Sequence, residues 1–398
     1  MTKVSNRLSR LSESATLAMA QMSRELQAKG VDVISLSLGE PDFDTPEFIK
    51  EAAQKAINDN FSHYTPVPGL PEVRSAIATK FKRDNGLEFK VDQIVISTGA
   101  KQSLANVCLC LLNAGDEVLL PCPYWVSYAE IIKLAEGIPV EVPSNISTDF
   151  KVTPEELEAA ITPKTKMLIF SSPCNPSGTV YTQSELEDIS KMLERHPDIY
   201  VMSDEIYEHI NFTDKHFSIG TIPSMTNRTI TVNGVSKGFA MTGWRVGFIG
   251  APTWIAKACN KIQGQVTSAT CAIAQKAAER AMLAEPKSTT KDMKETFLRR
   301  RNMLIGLLKD IPGVKCNVPQ GAFYVFPEIS SYFGKSEGNI TINNANDLCM
   351  YLLNNAHVAC VAGDAFGSPE CMRISYAASD AKLTEAMHRI KIFLAKLS

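Results

Sequence analysis

A chain of 398 residues with 44% hydrophobic and 21% charged residues has the make-up of a globular protein with room for a large core. A formal net charge of -2 gives no reason to expect nucleic acid or an anionic membrane as partner, and no apolar run reaches membrane-spanning length. Ten cysteines, mostly in apolar surroundings, are not a disulfide framework, and MTKVSNRLSRLSESATLAMAQ lacks the apolar core of a secretory signal, so a cytoplasmic location is expected.

In chain order, Met1 to about Pro46 reads as an arm with one short helical stretch, ending in the Pro-rich EPDFDTP. From there to about Glu285, short apolar runs alternate with longer amphipathic stretches, the pattern of parallel strands joined by helices. Strands are predicted over Gln93–Ser97, Glu117–Leu120, Lys166–Phe170, Tyr200–Ser203, Arg228–Val232 and Val246–Ile249. Helices are predicted over Leu70–Asn85, Lys101–Leu112, Gln183–Glu194 and Thr253–Gly264, with Pro and Gly at many breaks. Beyond Glu285 come a charged helical stretch through Leu308, the segment VKCNVPQGAFYVF, a helical stretch Asn344–Asn355 and a strand-like CMRISYA. The expected organisation is an arm with part of a small domain (1–46), a large α/β domain (47–285) and a smaller α+β domain (286–398).

Several segments carry chemistry. In TITVNGVSKGFAMTGWRVGFIG, Lys237 follows a β-branched run and would lie at the C-terminal end of a buried strand, where α/β proteins place their chemistry. Partial burial would lower its pKa and let the amine condense with an aldehyde; a solvated loop lysine is the plain alternative. Asp204, at the end of the run IYVMSD, suits holding a ring nitrogen protonated, with the Tyr207 phenol one helical turn on; it could equally cap the next turn. Asn175 before Pro176 suits a fixed bend, cis included, that aims an amide into the same crevice, or an ordinary polar turn. In STGAKQ the N–H groups of Gly99, Ala100 and Lys101 open a helix and could cradle a phosphate, joined by Ser236 and Arg245. Trp125 offers a flat face for stacking, although a core tryptophan is commoner. Arg373, inside CMRISYA, is a cation where a strand should be partly buried, which suggests a carboxylate partner unless the strand is an exposed edge.

Taken together, SATLAMA, LSLGEPDFDTP, HYTPVPGLPEVR, STGAKQ, PYWVSY, SSPCNPSG, SDEIYEH, NGVSKGFAMTGWRVG, PQGAFYVF and MRISYA, in that order, resemble the class I aminotransferases of fold type I, within the bacterial aspartate aminotransferase subgroup. The resemblance covers nearly the whole chain. It implies a large domain with a mostly parallel central sheet flanked by helices, plus a smaller α+β domain, and pyridoxal 5'-phosphate as cofactor. It further implies that Lys237 bonds the cofactor and moves the α-proton, and that Asp204 pairs with the pyridinium nitrogen. Tyr207 and Asn175 would bond the ring oxygen and Trp125 would stack on the ring. Gly99, Ala100, Lys101, Ser236 and Arg245 would surround the phosphate, joined by Tyr64 from the partner of a homodimer. Arg373 with Gly39, Trp125 and Asn175 would hold the substrate carboxylate, and Lys101 the distal group of a dicarboxylic donor such as aspartate. Relatives that accept prephenate carry a basic residue in the arm where this chain has Ser12, so prephenate is not expected as a main substrate. Another amino donor, such as an aromatic amino acid, alanine or kynurenine, is the nearest alternative.

Two other reaction classes fit parts of the chain. A β-lyase shares the scaffold and cofactor. Gly234-Val235-Ser236-Lys237-Gly238 also matches the G-x-S-x-G elbow of a serine hydrolase, which needs a later histidine, and only His357 and His388 follow. The six histidines show no metal-ligand spacing, so no metal is expected.

Overall fold

The computed structural model describes residues 4–398, so the first three residues of the predicted arm lie outside the description. Seven strands form the central sheet in the spatial order Ile94–Ser97, Gly247–Gly250, Thr229–Gly234, Tyr200–Asp204, Thr165–Ser171, Glu117–Pro121 and Ile138–Val142. The last five of these run parallel to one another, whereas Gly247–Gly250 is antiparallel to both of its neighbours. The inner strands are buried along almost all of their length, which is why they read as continuous, largely apolar runs rather than as alternating ones. All six predicted strands are present within two residues of their expected ends.

Within the seven-stranded sheet, the strand that sequence reading omits is Ile138–Val142. It is a sheet edge, largely accessible to solvent and interrupted by Pro139, so it has neither the apolar run nor clean alternation. Helices Glu47–Asn58, Ser127–Leu134 and Ala272–Leu283 were also not predicted. The third packs against Glu47–Asn58 and Pro71–Lys80, with Ala274, Ala277, Ala278 and Ala281 letting the backbones approach. The predicted helix Leu70–Asn85 is an α-helix over Pro71–Lys80 that loosens into a π-turn over Phe81–Asn85.

A three-stranded sheet of Val361–Ala362, Met372–Ser375 and Tyr324–Val325 lies in the C-terminal part, with Met372–Ser375 in the middle. The arm joins this side, because Ile34–Ser35 pairs with Val358–Ala359 and the Ser375 N–H donates to the Leu36 carbonyl. The catalytic candidates therefore meet between the C-terminal ends of the parallel strands, the arm and the small sheet. No helix among the described residues is long and apolar enough to cross a membrane.

Candidate active site

A cavity of about 250 Å³ is lined by Gly39, Ala100, Lys101, Trp125, Asn175, Asp204, Tyr207, Ser236, Lys237, Arg245 and Arg373. These residues come from segments that the central sheet, the arm and the small sheet together make neighbours. Gly99 sits directly behind the wall, and Tyr64 lies elsewhere, 98% exposed.

Lys237 follows strand Thr229–Gly234 in a tight turn where Ala240 and Arg245 adopt left-handed backbone. Its Nζ donates to the Gly39 carbonyl at 2.6 Å and stands 5.9 Å from the centre of the Tyr207 ring. Burial, reinforced by the cations Arg373 and Arg245 and opposed by Glu40, lowers its pKa to about 8. Asp204 ends strand Tyr200–Asp204 and is buried; burial pushes its carboxyl up to about 6 against hydrogen bonds from Tyr128 Oη and the Ile206 N–H. Two groups in one cavity are thus shifted towards their neutral forms. A cationic ring nitrogen beside Asp204 would supply the charge that its surroundings lack.

Tyr207 lies in a non-helical turn rather than one helical turn beyond Asp204, and its hydroxyl is 2.8 Å from that of Tyr324. At the floor, the Ala100 and Lys101 N–H groups open helix Ala100–Leu111 and have no carbonyl one turn back. Gly99 has φ +83, and a Cβ there would stand 2.3 Å from Arg245 Nη2, so glycine lets the guanidinium close over the helix start. With Ser236 in the same wall, this cradle suits a phosphate. Lys101 Nζ lies 5.0 Å from the Trp125 ring centre, and partial burial and then Arg245 hold it below the usual lysine range.

Arg373 is 1% exposed on the middle strand of the small sheet, which removes the edge-strand explanation of its charge. It donates to Asn175 Oδ1 at 2.9 Å and to the Ser37 carbonyl, while its Nε has no partner. Its flanks are the rings of Tyr324 and Phe366, at 4.6 and 4.9 Å. Among the described residues no carboxylate forms an ion pair with it, so a buried cation faces the cavity with donor capacity to spare. The Asn175–Pro176 bond is cis and Asn175 is buried, as its segment suggested.

Sequence reasoning missed Tyr128 and Tyr324, which line the cavity and contact Asp204 and Tyr207, and the arm residues Ser14, Thr16 and Leu17, which also line it. Both tyrosines lie in quoted segments, PYWVSY and PQGAFYVF, but only folding shows what they touch. No histidine lines the cavity among the described residues, so Ser236 lacks the base a hydrolase needs. Behind the turn after Asp204, the fold brings two groups of acids and histidines within 4.8 Å, Asp84 with Glu208 and His209, and Glu205 with Glu208 and His216. Linear spacing gives no hint of either, and the Lys80 ammonium, paired with Glu208, already supplies positive charge there.

A model of the aminotransferase class I and II family matches residues 31–390. An aspartate/prephenate aminotransferase of Cereibacter sphaeroides is 47% identical over 401 residues, covering 100% of both chains. Among solved structures, an aspartate aminotransferase from Rhizobium meliloti superposes with a TM-score of 0.96 at 41% identity, covering 100% of both chains. One from Thermus thermophilus, with maleate, superposes with a TM-score of 0.91 at 38% identity, covering 99% of this chain and 100% of its own.

Proposed function

The chain belongs to the class I and II aminotransferase family, and from that premise we propose that it uses pyridoxal 5'-phosphate to transfer the amino group of L-aspartate to 2-oxoglutarate, giving oxaloacetate and L-glutamate. The observation that carries this reading is the facing of Lys237, Asp204 and the unpaired Arg373 across one cavity. The residues fit the cofactor: a phosphate cradle at Gly99–Lys101 with Ser236 and Arg245, a flat wall at Trp125, and a carboxylate short of a cation at Asp204. When bound, pyridoxal phosphate supplies an electron sink for the carbanion left when the α-proton departs.

The chain's own residues do the rest. With a pKa of about 8, Lys237 is neutral in roughly a tenth of molecules at pH 7, far more than an ordinary lysine, so it can bond the aldehyde and later take the α-proton on Nζ. Asp204 holds a proton on the ring nitrogen, and Tyr207 and Asn175 hold the ring oxygen. Arg373 grips the α-carboxylate as a fork, which turns the Cα–H bond towards Lys237. Donor and acceptor use the same site in turn, as a ping-pong reaction.

Lys101, at the cavity wall, supports a dicarboxylic donor, as does the maleate in the Thermus thermophilus structure. Serine at position 12 brings no positive charge to the arm, so prephenate is not taken as a main substrate even though that name is carried by the Cereibacter sphaeroides relative. A cytoplasmic homodimer completes the reading, with Tyr64 reaching the partner's phosphate.

The visible spectrum of the protein loaded with pyridoxal phosphate, before and after L-aspartate alone, tests it. Conversion of the cofactor band to that of pyridoxamine phosphate supports the half-reaction. A band that aspartate leaves unchanged makes the donor wrong, no band at all makes the cofactor wrong, and release of ammonia, pyruvate and a thiol from an S-alkyl-L-cysteine, whose thiolate can leave from the β-carbon, without an acceptor marks a lyase.

A further inference from the structure

The turn after Asp204 has two faces. Asp204 and Tyr207 line the cavity, while Glu205 and Glu208 point behind it into a buried charge cluster. There Asn85 Nδ2 donates to Glu205 at 2.9 Å and to Glu208 at 2.5 Å. Lys80, 1% exposed, pairs with Glu208 and donates to Asn85 Oδ1 at 2.6 Å. His209 Nε2 stands 3.3 Å from Glu208 Oε1. The His209 ring packs edge-on against Phe239 at 5.5 Å, and a Cβ on Gly238 would come within 2.6 Å of it. Gly238 and Phe239 directly follow Lys237. One cluster thus touches both turns that carry the central groups.

Resting on the aminotransferase reading above, we infer that Lys80, Glu208 and His209 form a positioning device, which holds the Asp204–Tyr207 turn in register with the Lys237 turn. Stability alone does not call for these charges, because a buried ion pair can be replaced by well-packed apolar side chains at little or no loss. Geometry does call for them, since Lys80 and Asn85 fix Glu208, and Glu208 fixes the ring on which Gly238 rests.

The test uses the full chain loaded with pyridoxal phosphate, comparing wild type with Glu208→Gln, with His209→Asn, and with the double variant Lys80→Met plus Glu208→Met. Visible circular dichroism of the bound cofactor reads ring orientation, and thermal unfolding reads stability. All three are expected to keep the cofactor but change its dichroic band, and to lower kcat about ten- to a hundredfold with KM for L-aspartate within about twofold. The double variant is expected to regain thermal stability without regaining the band. Wild-type dichroism and kcat in folded variants, or failure of every variant to fold, overturns the inference while leaving the parent reading intact. A wild type without any cofactor band overturns both.

Discussion

Tyr128 Oη donates to Asp204 Oδ2 at 2.7 Å, with both residues buried. The Ile206 N–H is the other donor to that carboxylate. Tyr128→Phe removes a hydrogen bond to a charged group, about 1.5–3 kcal/mol. It leaves the ionised Asp204 harder to sustain beside a ring nitrogen. Expected are a kcat/KM for L-aspartate lower by about ten- to a hundredfold and weaker retention of pyridoxal phosphate, with the fold unchanged. Steady-state kinetics and dialysis read both; an unchanged kcat/KM would show that Ile206 alone suffices.

The same carboxylate sets a pH signature on the cofactor-free protein. Its folded pKa of about 6 lies above the ordinary 3.8 because burial disfavours the charge, so the folded state holds this proton more tightly than the unfolded one. That contribution is full below 3.8 and is lost as pH rises through 6, an amount of roughly 3 kcal/mol. Lys237 is depressed from 10.5 to about 8, so its contribution is present above 10.5 and lost as pH falls through 8. Asp204→Asn lacks the first component. Urea unfolding from pH 4 to 7 is expected to show the variant gaining on the wild type by up to about that 3 kcal/mol. Parallel curves would mean that Asp204 is better solvated than its burial implies.

These groups differ in how far the sequence betrays them. Lys237, Asp204 and Arg373 each stand at or within an apolar run, where an ionisable residue is out of place without a partner, so the linear pattern exposes them. The inner strands are legible for a related reason, since burial on both faces demands continuous apolar runs. Tyr128 and Tyr324 act through residues 76 and 117 positions away, and no local rule links them. Lys80 and Glu208 look like solvated helix and turn charges until the fold closes over both. The edge strand Ile138–Val142 escapes because its exposed face frees it from the pattern that marks its neighbours.

Arg373 is expected to be irreplaceable even by lysine. Its planar fork spans Asn175 and the Ser37 carbonyl and retains donor capacity, between two aromatic rings that favour a guanidinium. Arg373→Lys keeps the charge but loses two-point grip. The expected loss in kcat/KM is about a hundredfold or more for aspartate and alanine alike, since both present the α-carboxylate. A loss confined to aspartate would move Arg373 to the distal end of the substrate.

Lys101 makes the opposite prediction. It lies on the cavity wall 5.0 Å from the Trp125 ring centre, where it can meet a second carboxylate. Lys101→Ala is expected to lower kcat/KM for L-aspartate at least about tenfold further than for L-alanine, the scale of one charge-assisted contact. Equal losses would confine the residue to the phosphate cradle.

Tyr64, 98% exposed and away from the cavity of its own chain, can serve the phosphate only across a twofold interface. Lys237→Ala should abolish activity, and Tyr64→Ala should weaken the cofactor and lower activity while leaving the fold intact, as befits an exposed side chain. Mixing the two after dissociation decides the matter. A mixed dimer holds one site with both Lys237 and the partner's tyrosine, so random exchange should restore roughly a quarter of wild-type activity above the Tyr64→Ala background. If Tyr64 acts within its own chain or not at all, mixing adds nothing, because no site gains a group it lacked.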